Sequence, residues 1–259
     1  MANEWLARTF PYSIPKGICK VQKDGVSEIG GAWFDLGNVK EFKLNVATET
    51  KDHYSTASGL NVLDKSIVTK IDFTGSFILD VPDKQILKMF LYADDPTSAD
   101  QASGSAVDQV VILPGLQQQV WLGKRDVSVV VVKHSTGSPT YVEDTDYKVD
   151  YENGMVARLD GGAITVDQST KISYSYAAKT MFQLDAGALN NLKRHFWFIG
   201  DPPEGVQRDA QFFASLAPNG DWSQIGEDFQ ELGFNFKVEL HTRYPKFVKV
   251  IDKGLATLT

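Results

Sequence analysis

The chain has 259 residues, 42% hydrophobic and 23% charged, a composition in the globular range and long enough for one large or two modest domains. Its formal net charge of −7 argues against a protein that grips nucleic acid by its phosphates, which takes a basic patch. The single cysteine, Cys19, excludes an intrachain disulfide and a cysteine-built zinc site, and reads as a small buried thiol.

The opening residues, MANEWLARTFPYSIPKG, hold no apolar core of signal-peptide length. No run approaches the ~18 apolar residues of a membrane span. Synthesis in a cytoplasm, without secretion or membrane insertion, is the expectation. Residues 1–20 read as an extended arm, because Pro11 and Pro15 restrict the residues before them. Strands are expected near Ile18–Gln22, Ala32–Leu36, Glu41–Lys51 and Ser66–Asp80. In the third, Phe42, Leu44 and Val46 alternate with Glu41, Lys43, Asn45 and Glu49. In the fourth, Ile71, Phe73, Phe77 and Leu79 oppose Lys70, Asp72, Thr74 and Ser76. Side chains alternate across a strand, so this is a sheet with one buried and one wet face. Between these strands lies a polar loop of about fifteen residues, a length that points to function.

One helix follows. Pro82 suits its first turn and Asp83 its positive end. Ile86, Leu87, Phe90 and Leu91 form an apolar stripe, and Pro96 stops it. Residues 94–109 are small and polar and read as a linker. Short strands then come at Val120–Leu122, Val127–Lys133, Tyr147–Tyr151, Met155–Leu159 and Lys171–Ala177, separated by turn signals such as HSTGSP and ENG, the pattern of a small β-sandwich. Long amphipathic strands return at Asn191–Ile199, Asp209–Leu216 and Asp228–His241. In the last, Leu232, Phe234, Phe236, Val238 and Leu240 form the apolar side. The simplest organisation is a discontinuous β-domain, residues 1–112 and 179–259, with a β-sandwich inserted at 113–178. The fold class is mainly β.

Chemistry is sparse. No nucleotide-binding, serine-hydrolase or zinc-protease spacing occurs. His53, His134, His195 and His241 are far apart in sequence and read as ordinary histidines. The acidic run EDTDYKVDYE at 143–152 fails as a calcium loop, because Lys148 and Val149 stand where a ligand and a glycine are needed. Catalytic residues, metals and cofactors are therefore all expected to be none. Trp121, Trp197 and Trp222, with an unlocated carboxylate pair, leave a carbohydrate-binding or sugar-cleaving protein open as an alternative. The wet face of the long strands stands out more. Its members are Glu41, Lys43, Glu49, Lys70, Asp72, Asp209, Glu231, Lys237 and Glu239, six acids and three lysines with a net of −3.

Three phrases, IPKGIC at 14–19, WFDLGNV at 33–39 and E-x-x-x-H-Y-S-x-x-S-G-L at 49–60, together with D-W at 221–222 and YPKFVKV at 244–250, resemble tail tube proteins (major tail proteins) of tailed bacteriophages. The likeness covers roughly residues 10–95 and 190–254. The TYVEDTDYKVD at 140–150 is similar to small β-modules of phage structural proteins. This resemblance implies a tail-tube β-sandwich or barrel with one packed helix. It implies homo-hexameric rings stacked into a tube within the virion, assembled in the host cytoplasm. The partners would be the tape measure, tail terminator and distal tail proteins, with DNA only transiently in the lumen and no membrane. It makes the nine face residues candidates for the lumen and the 52–66 loop, with Asp52, His53, Tyr54, Leu60 and Asp64, a ring-stacking contact. The insertion favours a non-contractile tail. A tail hub or baseplate ring protein of the same fold is the alternative within the class, and a tube from a bacterial injection system is a weaker one.

Overall fold

In the computed structural model, residues 14–56, 59–80 and 83–255 are described. The expectations for Pro11 and Pro82 lie outside them. The fold is mainly β, with one helix among the described residues. The chain divides into two compact units, Met1–Pro96 with Leu184–Thr259, and Thr97–Gln183.

The first unit is built on one antiparallel sheet. Its order is Phe34–Asp35, Gly17–Lys23, Lys193–Gly200, Val206–Asn219, Leu232–Glu239, Val62–Leu79 and Val39–Ser55. Val248–Leu255, a strand the sequence reading missed, also pairs with Val206–Asn219. The two halves of this unit interleave: Gly17–Lys23 pairs with Lys193–Gly200, and Val62–Leu79 with Leu232–Glu239. Neither half has a complete sheet without the other.

Direct cross-strand partners share a face. The ladder therefore puts Phe77 beside Phe234, Gly75 beside Phe236, and Phe212 beside Phe196 on one side. Their rings stack, at 5.0 Å between centroids for Phe77 with Phe234 and for Phe196 with Phe212. Gly75 is needed there, because a Cβ would lie 2.3 Å from the Phe236 ring and 2.1 Å from the Lys43 carbonyl oxygen. Cys19 lies in this core, where burial and, less, the Asp35 charge push its thiol up to about 12, so it is an inert apolar filler.

The helix Lys84–Phe90 caps the apolar side. Asp83 is its N-cap, accepting from the Gln85 and Ile86 N–H groups. Ile86, Met89 and Phe90 are its buried apolar residues; Leu87 and Leu91 are only half-buried. The helix ends at Phe90, well before Pro96, because Tyr92 adopts a left-handed φ of 50°.

The second unit contains two three-stranded sheets, Val120–Trp121, Met155–Arg158 and Tyr147–Asp150 in one, Gly104–Leu113, Gln168–Tyr176 and Val127–His134 in the other. Leu113, Leu122, Val132, Val156, Ile164 and Ile172 fill one core between them. The linker expected at 94–109 is corrected: Gly104–Leu113 is a strand, and Thr97–Ser98 pairs with Phe182–Gln183. Only Val111 and Leu113 of the former strand are buried, so its first half looks like a loop in sequence. The domain boundary accordingly falls at 97 and 183 rather than 113 and 178. The acidic run is spent on turns: Asp146 accepts from the Val142 and Ala163 N–H groups, and Asp150 from Asn153.

Gln101 fastens the base of this unit. Its Nε2 donates to the Arg125 and Ala177 carbonyls, and its Oε1 accepts the Arg125 N–H. With its own core and this closure, residues 97–183 expressed alone are expected to unfold cooperatively in urea. Gln101→Ala, which strands three backbone groups, should lower the stability of that fragment by about 1–3 kcal/mol.

Candidate functional site: the arm and the polar sheet face

Val39–Ser55 and Val62–Leu79 pair along their whole length, from Val39 opposite Leu79 to Ser55 opposite Val62. Leu232–Glu239 covers only the Thr74–Leu79 end of this pair. Beyond it the two strands continue as a two-stranded arm of roughly 30 Å at ~3.3 Å per residue. The fifteen-residue loop expected at 52–66 is thus corrected to strand almost to the tip. Asp52 lies opposite Ser66, whose Oγ donates to its Oδ1 at 2.6 Å, and His53 Nδ1 is 3.3 Å from Asp64 Oδ2. Tyr54 and Leu60 are exposed at the tip. Register shifts beside Glu49 and His53 interrupt the alternation, which is why the sequence reads as loop.

The arm's apolar residues are not buried in this chain. Leu44 and Val46, expected in the core, are 38% and 52% exposed, and Ile67, Val68 and Ile71 are 50%, 51% and 44% exposed. A two-stranded hairpin is marginal by itself in water. Val39–Ser55 is also the edge of the sheet, so the arm combines uncovered apolar area with a strand edge.

The opposite face of the sheet is polar. The ladder aligns Asn45, Thr74, Lys237, Ser215 and Lys193 in one row across four strand pairs, with Glu49 opposite Lys70 and Ala47 opposite Asp72. Lys70 Nζ lies 2.8 Å from Glu49 Oε1 and 2.7 Å from Asp72 Oδ2, and Lys237 reaches Asp72 at 4.0 Å. Asp72 first, then Glu49, hold the Lys70 ammonium above its usual range. Glu41 pairs with Lys43, Glu231 with Lys40, and Glu239 with Lys193 at 2.6 Å. A shallow concavity of about 460 Å³ on this face is lined by Thr74, Ser76, Ser215, Asn235 and Lys237 among others, and no His, Cys or carboxylate lines it.

Two corrections follow for the expected face. Asp209 is buried, accepting the Gly200 N–H and held 2.8 Å from Lys253 Nζ, so it does not belong to an open surface. The net of −3 also disappears. Each of the six acids meets a lysine, and Lys40, Lys193 and Lys253, omitted from the sequence reading, supply the missing charge. Leu240, expected in the core, is 65% exposed.

Further along this face the register runs Glu239, Phe213, His195, Gln22. Here the face is covered. His195 is wholly buried, with its ring 4.6 Å from that of His241 and 5.7 Å from that of Tyr244. Burial first, then the Arg243 and His241 charges, push the His195 imidazolium down to about 4. Asp24, in the turn after Gly17–Lys23, sets its Oδ1 3.4 Å from His195 Nε2 and 3.3 Å from His241 Nε2. In the sequence these histidines stand far apart and read as ordinary ones. Their only signal was the shared parity of His195 with the wet-face residues, which does not reveal what folds over it. Among the tryptophans, Trp197 meets Trp33 edge-on at 5.6 Å, Trp222 packs on the core, and Trp121 belongs to the second unit.

The chain matches, over residues 12–246, the model of the family described as Protein of unknown function UCP028589. It belongs to that family. The matched span runs through both units. No curated protein matches the chain. No helix among the described residues is long and apolar enough to cross a membrane.

The exposure of the arm makes a clear prediction. Ile67→Lys with Ile71→Lys should change the stability of the chain by no more than about 0.5 kcal/mol per site in urea unfolding.

Proposed function

We propose that this chain is a tail tube protein of a tailed bacteriophage, forming stacked homo-hexameric rings that conduct DNA into the host. The observation that carries the reading is the arm: a long hairpin with apolar residues uncovered and a sheet edge unclosed, as expected of a subunit completed by its neighbours. The tube phrases of the sequence support it. Ring closure would pair the edge strand Val39–Ser55, and six sheets would join around a lumen. The arm tip, with Asp52, His53, Tyr54, Leu60 and Asp64, would reach the adjacent ring. The presence of the inserted unit favours a non-contractile tail, in which no sheath packs on the tube. Tape measure, terminator and distal tail proteins would be the other partners.

The polar face would line the lumen, and its role would be passive. DNA carries about one negative charge per 1.7 Å of axis, and free lysines would capture it. Here the lysines are already engaged by carboxylates, so the face offers phosphates neither an adhesive patch nor a strong repulsion. A face of net −3, as the sequence alone suggests, would instead repel DNA. Exposed pairs of this kind add little stability, about 0–1 kcal/mol each, so their value would lie in the balance of charge.

Negative-stain microscopy of the purified chain should show tubes or stacked six-fold rings. Closed rings that never stack would move the reading to a hub protein, and a chain monomeric at every concentration would contradict it. Asp72→Lys with Glu231→Lys should leave tubes intact but make them bind DNA at low salt and slow its ejection. Unchanged ejection would remove the charge-balance argument.

A further inference from the structure

Three segments distant in sequence bring their ligand atoms together at Asp24, His195 and His241. The carboxylate oxygen of Asp24 is 3.4 Å and 3.3 Å from the two imidazole Nε2 atoms. Ligands at 2.0–2.1 Å from a tetrahedral zinc are separated by about 3.3–3.4 Å. All three atoms lie within 4.8 Å of one another. His195 is fully buried, and neither of its ring nitrogens has a hydrogen-bond partner, a costly state for an imidazole. The Asp24 side chain is 47% exposed, so the cluster opens to water on one side.

We propose that Asp24, His195 and His241 form a three-ligand site for a divalent transition-metal ion of the zinc type, with water in the fourth position. Two imidazoles and one carboxylate select zinc, cobalt, nickel or copper over magnesium and calcium, which prefer oxygen. The ion would answer the unpartnered His195 Nε2. It would also staple the turn after Gly17–Lys23 to the strand Lys193–Gly200 and to the chain beyond Leu232–Glu239, joining the two halves of the first unit. Two features limit affinity. The Arg243 N–H donates to His241 Nδ1 at 3.1 Å, so metal at Nε2 moves the ring proton to Nδ1 and gives up that contact. The Arg243 guanidinium is close by, although its nitrogens donate to Gln22 Oε1 and the Val26 carbonyl. The site does not depend on the tube reading, and its test does not use assembly.

The test is titration of tag-free protein with cobalt(II) alone, followed by zinc(II). The expected result is one equivalent of cobalt with the visible absorption of a four-coordinate ion, displaced by zinc, and a zinc-dependent rise in melting temperature. Asp24→Asn and His241→Gln should each weaken binding by more than about tenfold while keeping the circular dichroism of the metal-free chain. His53→Gln should bind as the parent does. Absence of the four-coordinate spectrum, or equal affinity in parent and both cluster variants, would overturn the site.

Discussion

The ladder between Leu232–Glu239 and Val62–Leu79 is the constraint on which the rest of the first unit depends. It joins a strand from the second half of the chain to one from the first, and it fixes the parity of both. With Phe234 opposite Phe77, the rings of Phe236, Phe212 and Phe196 fall on the helix side, and Lys70, Lys237 and Lys193 on the other. A slip of one residue would reverse both faces at once. The stacked rings therefore specify a register as well as filling a core.

The same register leaves the arm without a third strand. Within the sheet, Phe73 still finds Phe247 at 5.4 Å, but Ile71, Val68 and Ile67 beyond it have no such cover. Exposed apolar area on a two-stranded ribbon is a liability for a lone chain and an asset for a subunit. The proposed tube turns this into a division of labour: the arm and sheet edge associate, while the ion-paired face stays inert to a passing polyanion.

Much of this was legible in the amino-acid sequence, where alternation was strong. Leu232, Phe234, Phe236 and Val238 are all buried as their period-two pattern requires, and the insertion's short strands are where their turns bracket them. Reading failed where alternation was broken or where charge depended on distant partners. The arm tip looked like a loop because bulges interrupt it, and Gly104–Leu113 looked like a linker because half of it buries nothing. The face looked acidic because Lys40, Lys193 and Lys253 approach from positions that no local pattern connects to Glu231, Glu239 and Asp209. Asp24, His195 and His241 converge for the same kind of reason, through tertiary closure over a strand face.

The central claim is that the arm is completed by neighbouring copies of the chain. Amide hydrogen exchange, compared between dissociated and assembled protein, tests it most directly. The account predicts that amides of residues 46–55 and 62–71 exchange fast in the dissociated chain and become strongly protected on assembly, while those of Leu232–Glu239 are protected in both. Arm amides already as protected as that strand in the dissociated chain, or still unprotected in the assembled one, would contradict it.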